Sequence, residues 1–436
     1  MPPRKRSAVA AELDGLATCA HADIILQPSP NVQEAGYRVF TSKQLAAATA
    51  LPAANLPAED TFPFPLVLPD DDLAFDPDYP AQSVSDWTEE PDRNKVLRGR
   101  DVLYVAAPPN VAPDAQFIKK WTSCSDSDTL PSKSRTVTGD VVDYLTAFYH
   151  GMPVRHFTGS LTFTSWSSSN NSKASSSTAP RYIGLDTSTE RIRIRTRACP
   201  DGHYARQLNS DDLLDAIASI LPADAYAIIL LVDHDMWESK EDDFLCGRAY
   251  GASRIAVVSS ARYNPALDTL QCVERVHAWP ASHCAAYVHA QCSGGVRSKK
   301  RKGAGAADTA NGTATSPMRA ALTAFASYKG IQPEPGLWLS RICRTASHEL
   351  GHCLGLDHCV YYACAMQGTA SVAEDARQPP YLCPVDLTKL LRATGGDATE
   401  RYRALLAYSR KHAAESSLFA AYAAWLEQVL QAAPAT

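Results

Sequence analysis

One stretch, from His348 to Asp386, constrains the fold more than any other part of this 436-residue chain. It reads HELGHCLGLDHCVYYACAMQGTASVAEDARQPPYLCPVD. His348 and His352 are four residues apart, so on an α-helix they sit one turn above each other on a single face. That spacing lets two imidazoles reach one ion, with Glu349 beside them as a base that does not ligate. Gly355 supplies the backbone freedom to end the helix and reverse the chain. After that turn His358 arrives as a third nitrogen ligand.

Three protein nitrogens leave a fourth tetrahedral position for water, the arrangement of a catalytic zinc rather than a closed structural one. The full pattern is HExxHxxGxxH, and Met366 follows eight residues after the third histidine. This is the metzincin signature with its Met-turn. Cys359 follows His358 directly, Cys364 lies five residues on, and Cys383 begins the run CPVD. This block resembles the archaemetzincins (archaelysins), small zinc-dependent metallopeptidases of the metzincin clan. The resemblance implies an α/β, metzincin-like fold: a twisted mixed β-sheet with helices, an active-site helix, a Met-turn and a Cys-rich, zinc-binding C-terminal subdomain. It implies peptide hydrolysis, described as aminopeptidase-like for some family members. It also implies a second, structural zinc on four cysteines, the last two spaced CxxC. Cys359, Cys364 and Cys383 match three of these, and Asp386 stands at the fourth place. A carboxylate can ligate zinc, so the expected ligand sets are His348, His352 and His358 for one ion and Cys359, Cys364, Cys383 and Asp386 for the other. In the family Met366 would form an apolar floor under the imidazoles without ligating.

A chain of this length has room for two or three domains and a sizeable core. A net charge of −5 argues against a nucleic-acid-binding protein as a class. The 29 prolines are numerous, and many fall in the first hundred residues. The division expected is a Pro/Ala-rich, largely irregular leader over 1–95, a catalytic domain over 96–395 and a helical extension over 396–436. Two low-complexity insertions, 165–180 and 293–316, interrupt the catalytic domain. Glu12 and Asp14 break the only candidate apolar stretch of a signal peptide, and no run is long enough to span a bilayer. Twelve cysteines in such a chain point to a reducing compartment, cytoplasmic or nuclear, with free or metal-bound thiols. The basic runs at 4–6 and 299–302 leave open a nuclear interaction protein, and the fold alone leaves open a catalytically silent zinc scaffold. The intact Glu349 weighs against silence.

Along the chain, DVLYVAAP reads as a first core strand and AYAIILLVDHDMW as a fully buried central one. Asp233, His234 and Asp235 read as the polar end of that strand rather than a metal cluster. The alternating Arg191–Arg197 run reads as the solvated face of a strand. QLNSDDLLDAIASILP predicts a helix capped by Ser210, and SPMRAALTAFASYKG one capped by Ser316. Residues 254–259 are the expected edge strand, where extended peptide would add by β-augmentation. The cysteines and histidines of 271–292 match no zinc spacing.

Overall fold

The central strand, Ala225–Val232, is buried along its whole length. It lies inside a five-stranded sheet in the order Gly247–Tyr250, Ile255–Ser259, Ala225–Val232, Val102–Ala106, Val154–His156. All neighbours are parallel except the first pair, which is antiparallel. Side chains alternate across a strand, and here the alternation divides two layers. Ile229 and Leu231 face a core shared with Ile342, Ala346 and Leu350 of the long helix Gly336–Cys353. Ile228, Leu230 and Val232 face a second core with Phe163, Ile183, Leu185, Leu213 and Ile217. That second core belongs to a six-stranded mixed sheet and to the helix Ser210–Ala218. The fold is α/β, with helices packed on mixed sheets.

This computed structural model describes residues 23–52, 56, 58, 60–71, 79–124, 138–166, 179–293, 316–331 and 334–432. The basic runs at 4–6 and 299–302, and most of both insertions, lie outside them.

Several local expectations hold. Tyr182–Asp186 and Arg191–Ala198 form an antiparallel pair, with Arg191, Arg193 and Arg195 on the exposed face. Asp235 is buried against Arg262 at 2.6 Å, so the polar end of the central strand is an ion pair within the fold. Ser316 caps its helix by accepting from Arg319 N. The helix at 210 starts one residue earlier than expected: Asn209, not Ser210, is its cap, its amide oxygen accepting from Asp212 N, while Ser210 is the first helical residue and fully buried. A larger correction concerns residues 254–259. They pair on both sides, with the central strand and with Gly247–Tyr250, so the latter is the edge. The stronger apolar pattern had marked the interior strand, whose five residues are all buried, while the true edge is only half-buried.

Described residues of both flanking segments enter the main core. Phe62 meets Tyr381 and Trp425 edge-on at 5.3 and 5.6 Å, and Trp425 stacks on Tyr381 at 4.5 Å. The last two helices, Ala398–His412 and Ser417–Ala432, pack against Thr138–Phe148 and Pro317–Ala326. No helix among the described residues is long and apolar enough to cross a membrane.

Candidate metal centre and cleft

The helix Gly336–Cys353 carries His348 and His352 one turn apart, and their Nε2 atoms lie 3.0 Å from each other. A tetrahedral ion with zinc–nitrogen bonds of 2.0–2.1 Å separates its ligands by about 3.3 Å. The pair therefore stands close to ligating distance. Each ring is turned by its other nitrogen: His348 Nδ1 lies 2.7 Å from the Ala365 carbonyl and His352 Nδ1 2.7 Å from the Leu356 carbonyl. A carbonyl only accepts, so both Nδ1 atoms carry the proton and both Nε2 lone pairs face inward. Gly355, at φ +79°, turns the chain so that His358 joins them. Its ring centroid is 5.3 Å from that of His348 and 4.9 Å from that of His352. One nitrogen from each of the three comes within 4.8 Å of the others. Burial first, then the neighbouring imidazole, pushes all three histidines down to about 3. Neutral imidazoles facing one point make a donor set that suits zinc.

Three glycines allow this crowding. A Cβ on Gly368 would stand 3.0 Å from His358 Nδ1, and one on Gly351 would stand 2.5 Å from Met366 Sδ. Met366 is fully buried, its thioether against the helix backbone between the first two histidines. A Cβ on Gly247 would lie 2.9 Å from both Cγ and Cδ of Glu349 and closer still to its Oε1. Thus the edge strand closes over the carboxylate of Glu349. Burial pushes that carboxyl up to about 8, opposed by Arg248 and assisted by Glu238.

A second cluster lies behind the first. Cys359 and Cys383 Sγ are 3.5 Å apart, and Asp386 Oδ2 lies 3.3 Å from Cys364 Sγ and 3.4 Å from Cys383 Sγ. Sulfurs at that separation are not bonded to each other. All four groups are buried, with one ligand atom of each within 4.8 Å of the rest. Cys383 caps the helix Pro384–Thr394, its sulfur accepting from Asp386 N. Asp386 is held at its other oxygen by Lys389 Nζ at 3.0 Å, and both side chains are almost wholly buried. Burial pushes Asp386 up to about 7, with the negative charge of a Cys359 thiolate adding to the rise and Lys389 opposing it. Among the described residues, those of 271–292 form no such group. His277 instead stacks on Tyr287 at 3.9 Å.

The histidines open on a cleft of about 740 Å³. Its wall includes the edge strand, Tyr263, Arg93 and the carboxylates of Glu90, Asp92, Glu238, Asp242 and Asp357. Sequence reasoning reached every histidine and cysteine named above and missed Gly247, Arg93, Gln82 and Lys389. Lys389 had a signal, three residues after Asp386 on one helix face. The others come from elements far away in the chain and carried none.

Residues 308–392 match the sequence model of Peptidase family M54. Over 200 residues the chain is 30% identical to archaemetzincin-2 of Mus musculus, and 28% identical to that of Homo sapiens. The chain is thus similar to the archaemetzincins. Archaemetzincin-1 of Mus musculus is 27% identical over 204 residues, which are 47% of this chain and 34% of the relative. The chain spans about half the length of the curated relatives it matches, 46% for both archaemetzincin-2 sequences, and 46% of this chain is matched. Among solved structures, archaemetzincin from Methanopyrus kandleri covers 69% of this chain and 99% of its own, with 17% identity and a TM-score of 0.33. A zinc-dependent peptidase from Methanocorpusculum labreanum covers 66% and 99%, with 15% identity and the same TM-score.

Proposed function

We propose that this protein is a zinc metallopeptidase in which His348, His352 and His358 hold a catalytic zinc and Glu349 is the general base. The observation that carries the proposal is the convergence of three inward-facing imidazole nitrogens beside a buried carboxylate, at the floor of an open cleft. When bound there, zinc acts as a Lewis acid and brings its water near neutral pKa. Glu349 takes the proton of the attacking water and passes it to the leaving amine. In the metal-free fold, burial raises its pKa and so strengthens it as a proton acceptor. Gly247 keeps the carboxylate in place from above, and the free edge of Gly247–Tyr250 offers backbone groups along which extended peptide lies. Met366 supports the imidazoles from below.

Cys359, Cys364, Cys383 and Asp386 hold a second zinc of structural role, which fixes the segment that follows His358. Asp386 serves as the fourth ligand through Oδ2, while Lys389 offsets part of the negative charge of three thiolates and a carboxylate. The carboxylates around the cleft suit a cationic amino terminus, which supports aminopeptidase-like action on short peptides. Buried unpaired thiols such as Cys343 and Cys353 support a reducing, cytoplasmic or nuclear, location. The testing experiment is hydrolysis of a peptide library by purified protein, with free and acetylated amino termini side by side. Cleavage that is abolished by a chelator and restored by zinc is expected, whereas chelator-insensitive cleavage would refute the proposal.

A further inference from the structure

Gln82 lies in the segment that sequence reading gave to an irregular leader, yet its side chain makes three hydrogen bonds to two distant parts of the chain. Its Nε2 donates to the Gly355 carbonyl at 3.0 Å. Its Oε1 accepts from Asp357 N at 3.2 Å and from Lys389 Nζ at 2.8 Å. Only one orientation of the amide satisfies this set, because Asp357 N and Lys389 Nζ only donate and a carbonyl only accepts. Neither a carboxylate nor an apolar side chain can reproduce all three.

The two backbone partners flank Leu356, whose carbonyl orients the ring of His352. Asp357 immediately precedes His358. One amide thus pins the short turn that sets the direction of the second ligand and the position of the third. Trp87 reinforces the same turn, its Nε1 donating to the Leu354 carbonyl at 2.9 Å. The third bond leads elsewhere. Lys389 also donates to Asp386 Oδ1 at 3.0 Å, while Asp386 Oδ2 faces Cys364 and Cys383. A continuous hydrogen-bonded path therefore runs from the histidine turn through Gln82 and Lys389 to the cysteine cluster.

We infer that Gln82 is a positioning residue that couples the two metal sites: it fixes the Gly355–His358 turn for the histidine zinc, and links that turn to the occupancy of the Cys359/Cys364/Cys383/Asp386 site. The inference rests on the metal-site reading proposed above. Outer-shell partners of metal ligands typically change metal affinity 10- to 100-fold when removed. Their effect falls on metal retention and on kcat, with substrate binding little altered.

The test uses full-length, zinc-loaded protein and follows zinc release to a colorimetric chelator, with a mercurial thiol reagent added afterwards to count zinc held by cysteines. Gln82→Leu is expected to release histidine-site zinc at least about tenfold faster, with kcat lowered and KM nearly unchanged. Asp386→Ala, which disrupts the cysteine site, is expected to speed histidine-site release in the parent, yet to add under about threefold in the Gln82→Leu background. Gln82→Glu retains acceptors for Asp357 N and Lys389 and loses only the bond to Gly355. It gives the same readout should Gln82→Leu fail to fold, with an intermediate rate expected. If the parent holds zinc through its histidines and neither Gln82 variant changes its release by more than about twofold, the inference is overturned alone. Multiplicative effects of Gln82→Leu and Asp386→Ala overturn the coupling. A parent that binds no zinc through its histidines overturns the metal-site reading first, and this inference with it.

Discussion

Replacing Gly247 by alanine perturbs the proposed base without touching it chemically. The added methyl would sit 2.9 Å from Cγ and Cδ of Glu349, where ordinary contacts begin at 3.4 Å, and its approach to Oε1 is tighter. Glu349 is 7% exposed, so its side chain has little free space to enter, and the edge strand is tied to its neighbour over four residue pairs. The carboxylate must therefore retreat by roughly 0.5–1 Å from the position it holds beside the histidines. A misplacement of about 1 Å costs on the order of 100-fold in rate, or about 2.7 kcal/mol of transition-state stabilisation. The three atoms nearest the added methyl all belong to Glu349, so zinc content should stay at the parent level. The assay is steady-state peptide hydrolysis with zinc measured on the same sample. A Gly247→Ala protein that keeps its zinc and cleaves within about threefold of the parent would refute the argument that the edge strand positions Glu349.

Other perturbations separate the remaining parts of the site. Glu349→Gln should keep zinc and lose hydrolysis by about 10²–10⁴-fold in the same assay. In metal-free protein the Glu349 carboxyl is raised above its unfolded value of 4.5 to about 8, so its contribution to stability is complete below pH 4.5 and lost as pH rises through 8. The melting temperature of the metal-free parent should thus fall relative to Glu349→Gln across that window, and a constant difference would contradict the burial argument. Lys389→Met leaves Asp386 buried beside thiols without its cation, and should destabilise the protein by about 3–5 kcal/mol in urea unfolding. Asp386→Cys should raise retention of the second zinc under chelator challenge; unchanged retention would mean that Asp386 is no ligand.

The site was legible because its chemistry is local. His348, Glu349, His352, Gly355 and His358 lie within eleven residues, and helical spacing plus one glycine turn dictate their convergence. The cysteine cluster was legible through its resemblance to a family rather than through geometry, since Cys364 and Cys383 are brought together by a loop whose path no periodicity records. The central strand Ala225–Val232 and the helices announced themselves by apolar pattern. The edge strand did not. Gly247–Tyr250 is only half-buried and its sequence, GRAY, carries no apolar alternation, so hydrophobicity pointed to its interior neighbour instead. Gln82 was invisible for a different reason: its partners are 273 to 307 positions away, and a polar residue amid proline-rich sequence looks like any solvated loop residue.

The most direct test of the account is zinc content by elemental analysis, on protein purified without added metal, for the parent and His352→Ala side by side. Two zincs per chain in the parent and one in the variant are predicted, because removing His352 empties the histidine site and leaves the cysteine–Asp386 site intact. No zinc in the parent, or the same content in both proteins, would contradict the central claim that these histidines hold the catalytic metal.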